Sequence, residues 1–210
     1  PYWPQRWSWN KPIRTYQSHF PAEIKVKLAF IIDQLDSIKT SKDSSFAMIC
    51  EAIARNHQIH VLYQHDIVLI NHIVTGFSRS LVLTDTPHQD GHWYNTGDTF
   101  ATPLNEFDAI LMRKDPPFDL EYIYSTYLLE LAETQGAFVI NSPRAIRDHN
   151  EKLAITKFPQ FVAPTLVTSQ AHLIREFLNN HQDIILKPLD GMGGASVFRV
   201  HSADHNISVI

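Results

Sequence analysis

The octapeptide VKLAFIID, Val26–Asp33, constrains this chain more than any other feature of its sequence. Its middle is apolar at every position, so a strand formed there has no side to give to water. Such a strand sits inside a parallel sheet that is covered on both faces. A helical signal follows directly. Asp43-Ser44-Ser45 offers capping oxygens, and behind them Phe46, Ile49, Cys50 and Ile53 recur at i, i+3, i+4 and i+7. Gln58–Tyr63 then predicts a second strand, and Ile67–Ile70 with Ile73–Phe77, around Asn71-His72, a hairpin. Residues 84–106, with their Thr-Pro, Asp-Gly and Thr-Gly pairs, read as a loop.

The alternation continues. Asp108–Met112 is a buried strand that runs into Arg113-Lys114-Asp115-Pro116-Pro117-Phe118-Asp119. Asp119 can cap a helix in which Leu120, Ile123, Tyr124, Tyr127, Leu128 and Leu131 make one apolar stripe, expected to face the core. Gly136 stands where that helix should stop, and Ala137–Ile140 is one more strand. Strand and helix in turn imply a mostly parallel, doubly wound α/β domain over residues 24–141.

Beyond Asn141 the pattern changes. Ser142-Pro143 has the cap-then-proline order of a helix start, and Asp148-x-x-Glu151 resembles a capping box that would open a second short helix carrying Lys152. Leu166-Val167 suggests a short strand, Ser169 precedes a helix with Leu173, Ile174, Phe177 and Leu178 inward, and Asp183–Lys187 is a strand. The glycine-dense DGMGGAS, Asp190–Ser196, comes next. It lacks the lysine of a P-loop, and Ser196 stands where a dinucleotide fingerprint needs its third glycine. Val197-Phe-Arg-Val200 is a strand sequence, so the glycines form a flap between two strands, able to lay backbone N–H groups over phosphates. Lys187 ends an apolar strand, where a buried ammonium calls for an anion. A lysine reaching solvent beside an ordinary turn is the alternative. Residues 142–210 therefore read as the opening of an α+β unit.

Composition narrows the function classes. With 44% hydrophobic and 19% charged residues this is a globular composition, and no apolar run has the length of a membrane-spanning helix. A net charge of −4 gives no footprint for nucleic acid. The single cysteine, Cys50, rules out an intrachain disulfide framework, fits a reducing compartment and falls on a helical apolar stripe as a core residue. His88-x-x-x-His92 has metal-ligand spacing but no helical period around it, and reads as solvated histidines. Residues 1–23, with Trp3, Trp7, Trp9 and no acidic residue before Glu23, read as an extension without fixed structure.

Five blocks carry a resemblance. KDSSFAM (Lys42–Met48), ILMRKDPPFDLEYIYSTYLLE (Ile110–Glu130), VINSPRAIRDHNEKL (Val139–Leu153), PTLVT (Pro164–Thr168) and DIILKPLDGMGGASVFRV (Asp183–Val200) together resemble bacterial glutathione synthetases, ligases of the ATP-grasp superfamily. The resemblance implies a Rossmann-like N-terminal substrate domain followed by an ATP-grasp domain that begins near Ser142. It implies ATP and Mg²⁺ as cofactors, γ-glutamylcysteine and glycine as substrates, a cytoplasmic location and a homo-oligomer, without nucleic-acid or membrane partners. Lys152 and Lys187 would contact the nucleotide phosphates, with Gly191, Gly193 and Gly194 closing over them. Arg113 would face the peptide substrate, with Asp33 and Ser44 as a second wall. ATP would phosphorylate the cysteinyl carboxylate, and the amine of glycine would attack the acyl phosphate.

The chain also departs from the family. Gln34 follows Asp33 where the family has proline, and residues 1–23 have no counterpart. Family members continue well past the position of Ile210, into the metal ligands and further substrate arginines. The expectation is therefore an incomplete and inactive ligase. A non-catalytic module binding nucleotide or γ-glutamyl peptide is the alternative. A nicotinamide domain is disfavoured by the failed fingerprint.

Overall fold

The computed structural model describes residues 25–85, 92–115, 117–191, 194–204 and 207. Residues 1–23, His88 and Gly193 lie outside these, and the expectations placed on them stay there.

The VKLAFIID segment forms β1 (Lys27–Ile31), and α1 (Ser44–Ala54) follows it. The Asp43 carboxylate accepts from the N–H groups of Ser45 at 2.7 Å and Phe46 at 3.0 Å, satisfying two of the donors a helix start leaves open. β2 (Gln58–Leu62) returns parallel to β1, with Leu28 opposite Ile59 and Ile31 opposite Leu62. β3 (Ile67–Ile70) and β4 (Ile73–Leu83) make the expected hairpin, but β4 runs on past Phe77 and pairs antiparallel with β2.

The stretch read as a loop contains a long strand, β5 (Tyr94–Pro103), paired with β4 around an irregularity at Arg79/Leu81. The sequence hid it for a physical reason. β5 pairs only with β4, nearly all of it is exposed, and its Asn, Thr, Gly and Asp side chains show no apolar alternation. β6 (Ala109–Met112) lies on the other side of β1, α2 (Leu120–Thr134) crosses over, and β7 (Val139–Ile140) adds a parallel edge. The strand order is β3-β4-β2-β1-β6-β7, with β5 on the free side of β4.

β1 sends alternate residues to two cores, as its unbroken apolar sequence requires. Ala29 and Ile31 join Leu62, Ile110, Met112, Leu129 and Ala132 under α2. Phe30 and Ile32 join Phe46, Ile49, Val61 and Trp93 under α1. Cys50 packs at the margin of this second core, and burial raises its thiol pKa, as suits a core residue rather than a nucleophile.

The expected inward stripe of α2 holds at Leu128, which packs against the core, but not along its length. Tyr122, Ser125, Thr126, Leu129 and Ala132 are the buried residues, whereas Leu120, Tyr124, Tyr127 and Leu131 face solvent. Ser125, Thr126 and Ala132 share the inward face with Tyr122 and Leu129. The two hydroxyls can be buried because Ser125 donates to Glu121 O at 2.8 Å and Thr126 to Ile123 O at 2.6 Å.

α3 (Pro143–Asp148) begins at the proline as expected. It docks on α2 through Arg147, which donates to Thr126 Oγ1 at 3.2 Å, pairs with Glu130 and lies 4.4 Å from the Tyr127 ring centroid. No second helix opens at Asp148: that carboxylate turns back to Arg144 at 3.5 Å, and residues 151–153 form a turn. Leu166-Val167 is irregular rather than a strand. α4 (Ala171–His181) starts after Gln170, and its Leu178 packs with Ile184 and Val200 of the hairpin β8 (Asp183–Leu186) and β9 (Phe198–His201). Glycine flap and flanking strands thus form the strand–turn–strand unit expected, with Ile184 opposite Val200.

Candidate functional site

Two constellations lie at the carboxyl ends of the parallel strands, the edge at which open α/β sheets bind ligands. The first gathers Asp33, Ser44 and Arg113. β6 ends at Met112, and the N–H of Arg113 still bonds to Ile31 O at 2.8 Å, so the side chain leaves at the mouth of the β1–β6 pair. Its Nη2 donates to Ser44 Oγ at 2.7 Å and its Nε to Ser45 Oγ at 3.2 Å. Among the described residues no carboxylate lies within ion-pair distance of this guanidinium, neighbouring Asp115 included. A cation braced by neutral hydroxyls keeps donors for an incoming carboxylate.

Asp33 does a different job. Its Oδ1 pairs with Lys114 Nζ at 2.7 Å and its Oδ2 accepts from Asp115 N at 2.9 Å, so both oxygens hold the loop that carries Arg113. Burial, reinforced by the charges of Asp33 and Asp43, raises the Asp115 pKa above the ordinary carboxylate value.

The second constellation is a cleft of about 530 Å³ between α2, α3 and the entrance of the glycine turn. Phe118 and Tyr122 line one wall, Asn141 and His149 stand further round, and Lys152 faces Leu189, Asp190 and Gly191. The Lys152 ammonium donates to Gly191 O, reaches Leu189 O at 3.4 Å and pairs with Glu151 at 3.0 Å. A turn, not a helix, aims it there. Asn150 Oδ1 accepts from the N–H groups of Lys152 at 3.0 Å and Leu153 at 3.1 Å, a side-chain turn that replaces the expected capping box.

Lys187 is elsewhere. It is exposed and does not line the cleft. The burial argument for an anion at Lys187 therefore fails, because β8 alternates: Ile184 is inward, and Ile185 and Lys187 stand on the outward side. Gly191 and Gly194 carry different backbone requirements. A Cβ on Gly191 would stand 2.8 Å from the Pro188 ring, and Gly194 has φ +82°, where only glycine is free of strain.

Tyr122 joins the two constellations. Its ring lines the cleft, and its hydroxyl donates to Lys114 O at 3.3 Å beside Arg113. Burial raises its pKa, with the charges of Asp115 and Asp33 adding to the effect, so the phenol stays protonated as a donor.

Comparison with known proteins decides the family. Residues 26–147 match the family model described as the prokaryotic glutathione synthetase N-terminal domain, and residues 151–210 match its ATP-grasp domain. The chain belongs to the prokaryotic glutathione synthetase family. The glutathione synthetase of Nitrosomonas europaea is 65% identical over 185 residues, 88% of this chain and 58% of that protein. The glutathione synthetase of Ralstonia nicotianae is 50% identical over 185 residues, 88% of this chain and 56% of that protein. The chain thus spans a little under three fifths of the length of these relatives. Two solved structures of the ATP-grasp ligase PsnB are similar more remotely. One, complexed with minimal precursor, Mg and ADP, has TM-score 0.45 and 17% identity over 86% of this chain and 59% of that chain. The other, with precursor peptide PsnA2 and AMPPNP, has TM-score 0.46 and 18% identity over 90% and 61%.

Within this family member, Phe118, Tyr122, Asn141 and Asn150 escaped the sequence reading. Phe118 lies in the segment before the Asp119 cap, and Tyr122 falls outside the apolar stripe of α2, so neither carries a local signal for the site. Asn150 did have a signal: an Asx residue two before a lysine, between two helical segments, is a turn former. No helix among the described residues is long and apolar enough to cross a membrane.

Proposed function

We propose that this chain carries the peptide-binding and nucleotide-entrance part of an ATP-dependent carbon–nitrogen ligase. In this reading γ-glutamylcysteine and glycine are joined through an acyl phosphate, in a reducing, cytoplasmic setting, by a homo-oligomer of the complete enzyme. The observation that carries the reading is the pairing of two cationic positions across Tyr122. Arg113, held by Ser44 and Ser45 without an acidic partner among the described residues, suits a substrate carboxylate, and Lys152, facing the glycine turn, suits a phosphate.

The chemistry needs positioning and charge neutralisation more than covalent help from the protein. Among the described residues the Lys152 ammonium pairs with no anion other than Glu151, and its remaining partners are backbone carbonyls that a phosphate oxygen can replace. Among the described residues no group of three His, Cys, Asp or Glu stands close enough to hold a metal ion. These residues do not fit a magnesium site. Lys187, outward on its strand, contributes to the nucleotide only if the ligand reaches past the cleft.

Calorimetry tests the assignment. ATP and γ-glutamylcysteine should bind the chain independently. Arg113→Ala should weaken the peptide by about 10- to 100-fold, the loss expected for hydrogen bonds to a charged group, with ATP unchanged. Lys152→Ala should do the reverse. Thermal protection by NAD but not by ATP would overturn the reading. Binding without glutathione formation from γ-glutamylcysteine and glycine, even when the remaining part of a family member's chain is supplied, would favour the non-catalytic alternative.

A further inference from the structure

Lys152 and the glycine turn are 37 to 39 residues apart in sequence, yet one side chain holds both. Asn150 uses its Oδ1 to close the turn that aims Lys152, accepting from Lys152 N at 3.0 Å and Leu153 N at 3.1 Å. It uses its Nδ2 to reach Leu189 O at 3.4 Å. The Lys152 ammonium reaches the same carbonyl at 3.4 Å and also donates to Gly191 O. Two donors from one short turn therefore converge on the entrance of the glycine segment, immediately after Pro188. Each contact to Leu189 O is long and weak alone, but the two share one acceptor and one anchoring turn.

We propose that Asn150 is a positioning residue: it ties the Lys152 turn to Leu189–Gly191, so that the site's cation and the entry to the glycine turn are set as one unit. Without an anion, the ammonium is satisfied by the Leu189 and Gly191 carbonyls and braces that entry. A phosphate that takes the ammonium removes two of the contacts, and the Asn150 amide remains as the tether. The link to nucleotide rests on the function proposed above. The coupling between the two segments does not.

A pair of substitutions separates the two halves of the side chain's role. Asn150→Ala removes both the acceptor and the amide. Asn150→Ser keeps a short acceptor for the turn but cannot reach Leu189. Backbone ¹⁵N relaxation on the purified chain reads both segments at once. In the wild type, the amides of residues 152–153 and 189–191 should have rigid order parameters, about 0.8 or above. In Asn150→Ala both sets should fall towards the flexible range, about 0.6 or below, and in Asn150→Ser only residues 189–191 should fall. Amides of β1 report that the sheet domain stays folded. Unchanged values at 189–191 in both variants would overturn the proposal and leave Asn150 as a local turn former. Titration with ATP supplies the second readout, with a dissociation constant raised about tenfold in both variants. If the wild-type chain binds no ATP, the nucleotide assignment fails while the relaxation data still decide the coupling.

Discussion

The sheet domain and the unit after Ser142 spend their apolar residues differently. In the first, β1 feeds two cores from alternate residues, and Phe30, Ile31, Ile49, Leu62, Ile110 and Leu129 are all essentially solvent-free. In the second, the buried cluster comes down to Leu178, Ile184 and Val200, while Phe161 is 82% exposed and Ile185 52%. The strongest candidate ligand groups stand where the two regions meet. Arg113 is presented by the rigid side, on a loop braced by Asp33. Lys152 and Gly191 belong to the sparsely packed side, where local turns rather than a core decide the geometry.

The sharpest way to break this contrast is to remove core side chains on each side. Phe30→Ala should cost about 3–5 kcal/mol, because a large, fully enclosed ring leaves a cavity that the surrounding strands cannot fill. Leu178→Ala should cost about 2–3 kcal/mol and should act locally, freeing the amides of α4, β8 and β9 while those of β1 and β2 keep their protection. Phe161→Ser should change stability by less than about 0.5 kcal/mol. Urea unfolding with residue-resolved hydrogen exchange measures all three. Equal effects of Phe30→Ala and Phe161→Ser, or a global effect of Leu178→Ala, would remove the distinction.

Helix caps give a finer version of the same contrast. Asp43 binds two N–H groups at the start of α1, whereas Gln170 makes no side-chain bond at the start of α4. Asp43→Ala should therefore destabilise by about 1 kcal/mol, and Gln170→Ala by almost nothing. Gln170→Asp should gain about 0.5–1 kcal/mol, since an unfilled cap is available. Chemical denaturation of the three variants under one buffer checks the order. A loss from Gln170→Ala as large as that from Asp43→Ala would show that cap geometry does not separate the two regions.

How legible each region was in the sequence follows from the same packing. VKLAFIID, the Asp43 cap, the Asp119 cap and the Ser142-Pro143 start were all readable, because local chemistry and the buried core demand the same residues there. β5 was not, since an edge strand need not alternate. The inward face of α2 was not legible because it mixes Ser125, Thr126 and Ala132 with Tyr122 and Leu129, so no continuous apolar stripe marks it. Arg113 and Ser44 could be brought together by strand logic, since both follow parallel strands at one sheet edge. The Asn150–Leu189 contact could not, because nothing in either segment's own pattern refers to the other. Lys187 was misplaced by treating an apolar run as buried on both faces, when its hairpin is covered on one face among the described residues.

The smallest expected effect lies inside the sheet domain. His60 sits on β2 with Nδ1 3.5 Å from Ser78 Oγ and its ring centroid 5.4 Å from that of Phe107, over which Lys27 also lies. Burial holds its imidazole below the ordinary value, and the charge of Lys27 adds to this. The sign follows from linkage. The folded state binds the proton less readily than the unfolded chain, so the contribution of His60 to stability is present above about pH 6.5 and is lost as the pH falls through the lower folded value. Wild type should therefore lose more stability between pH 7 and pH 5 than His60→Asn, with the two curves diverging only on the acid side. An NMR titration of the His60 ring with a midpoint at or above about 6.5 would remove both the shift and the acid sensitivity derived from it.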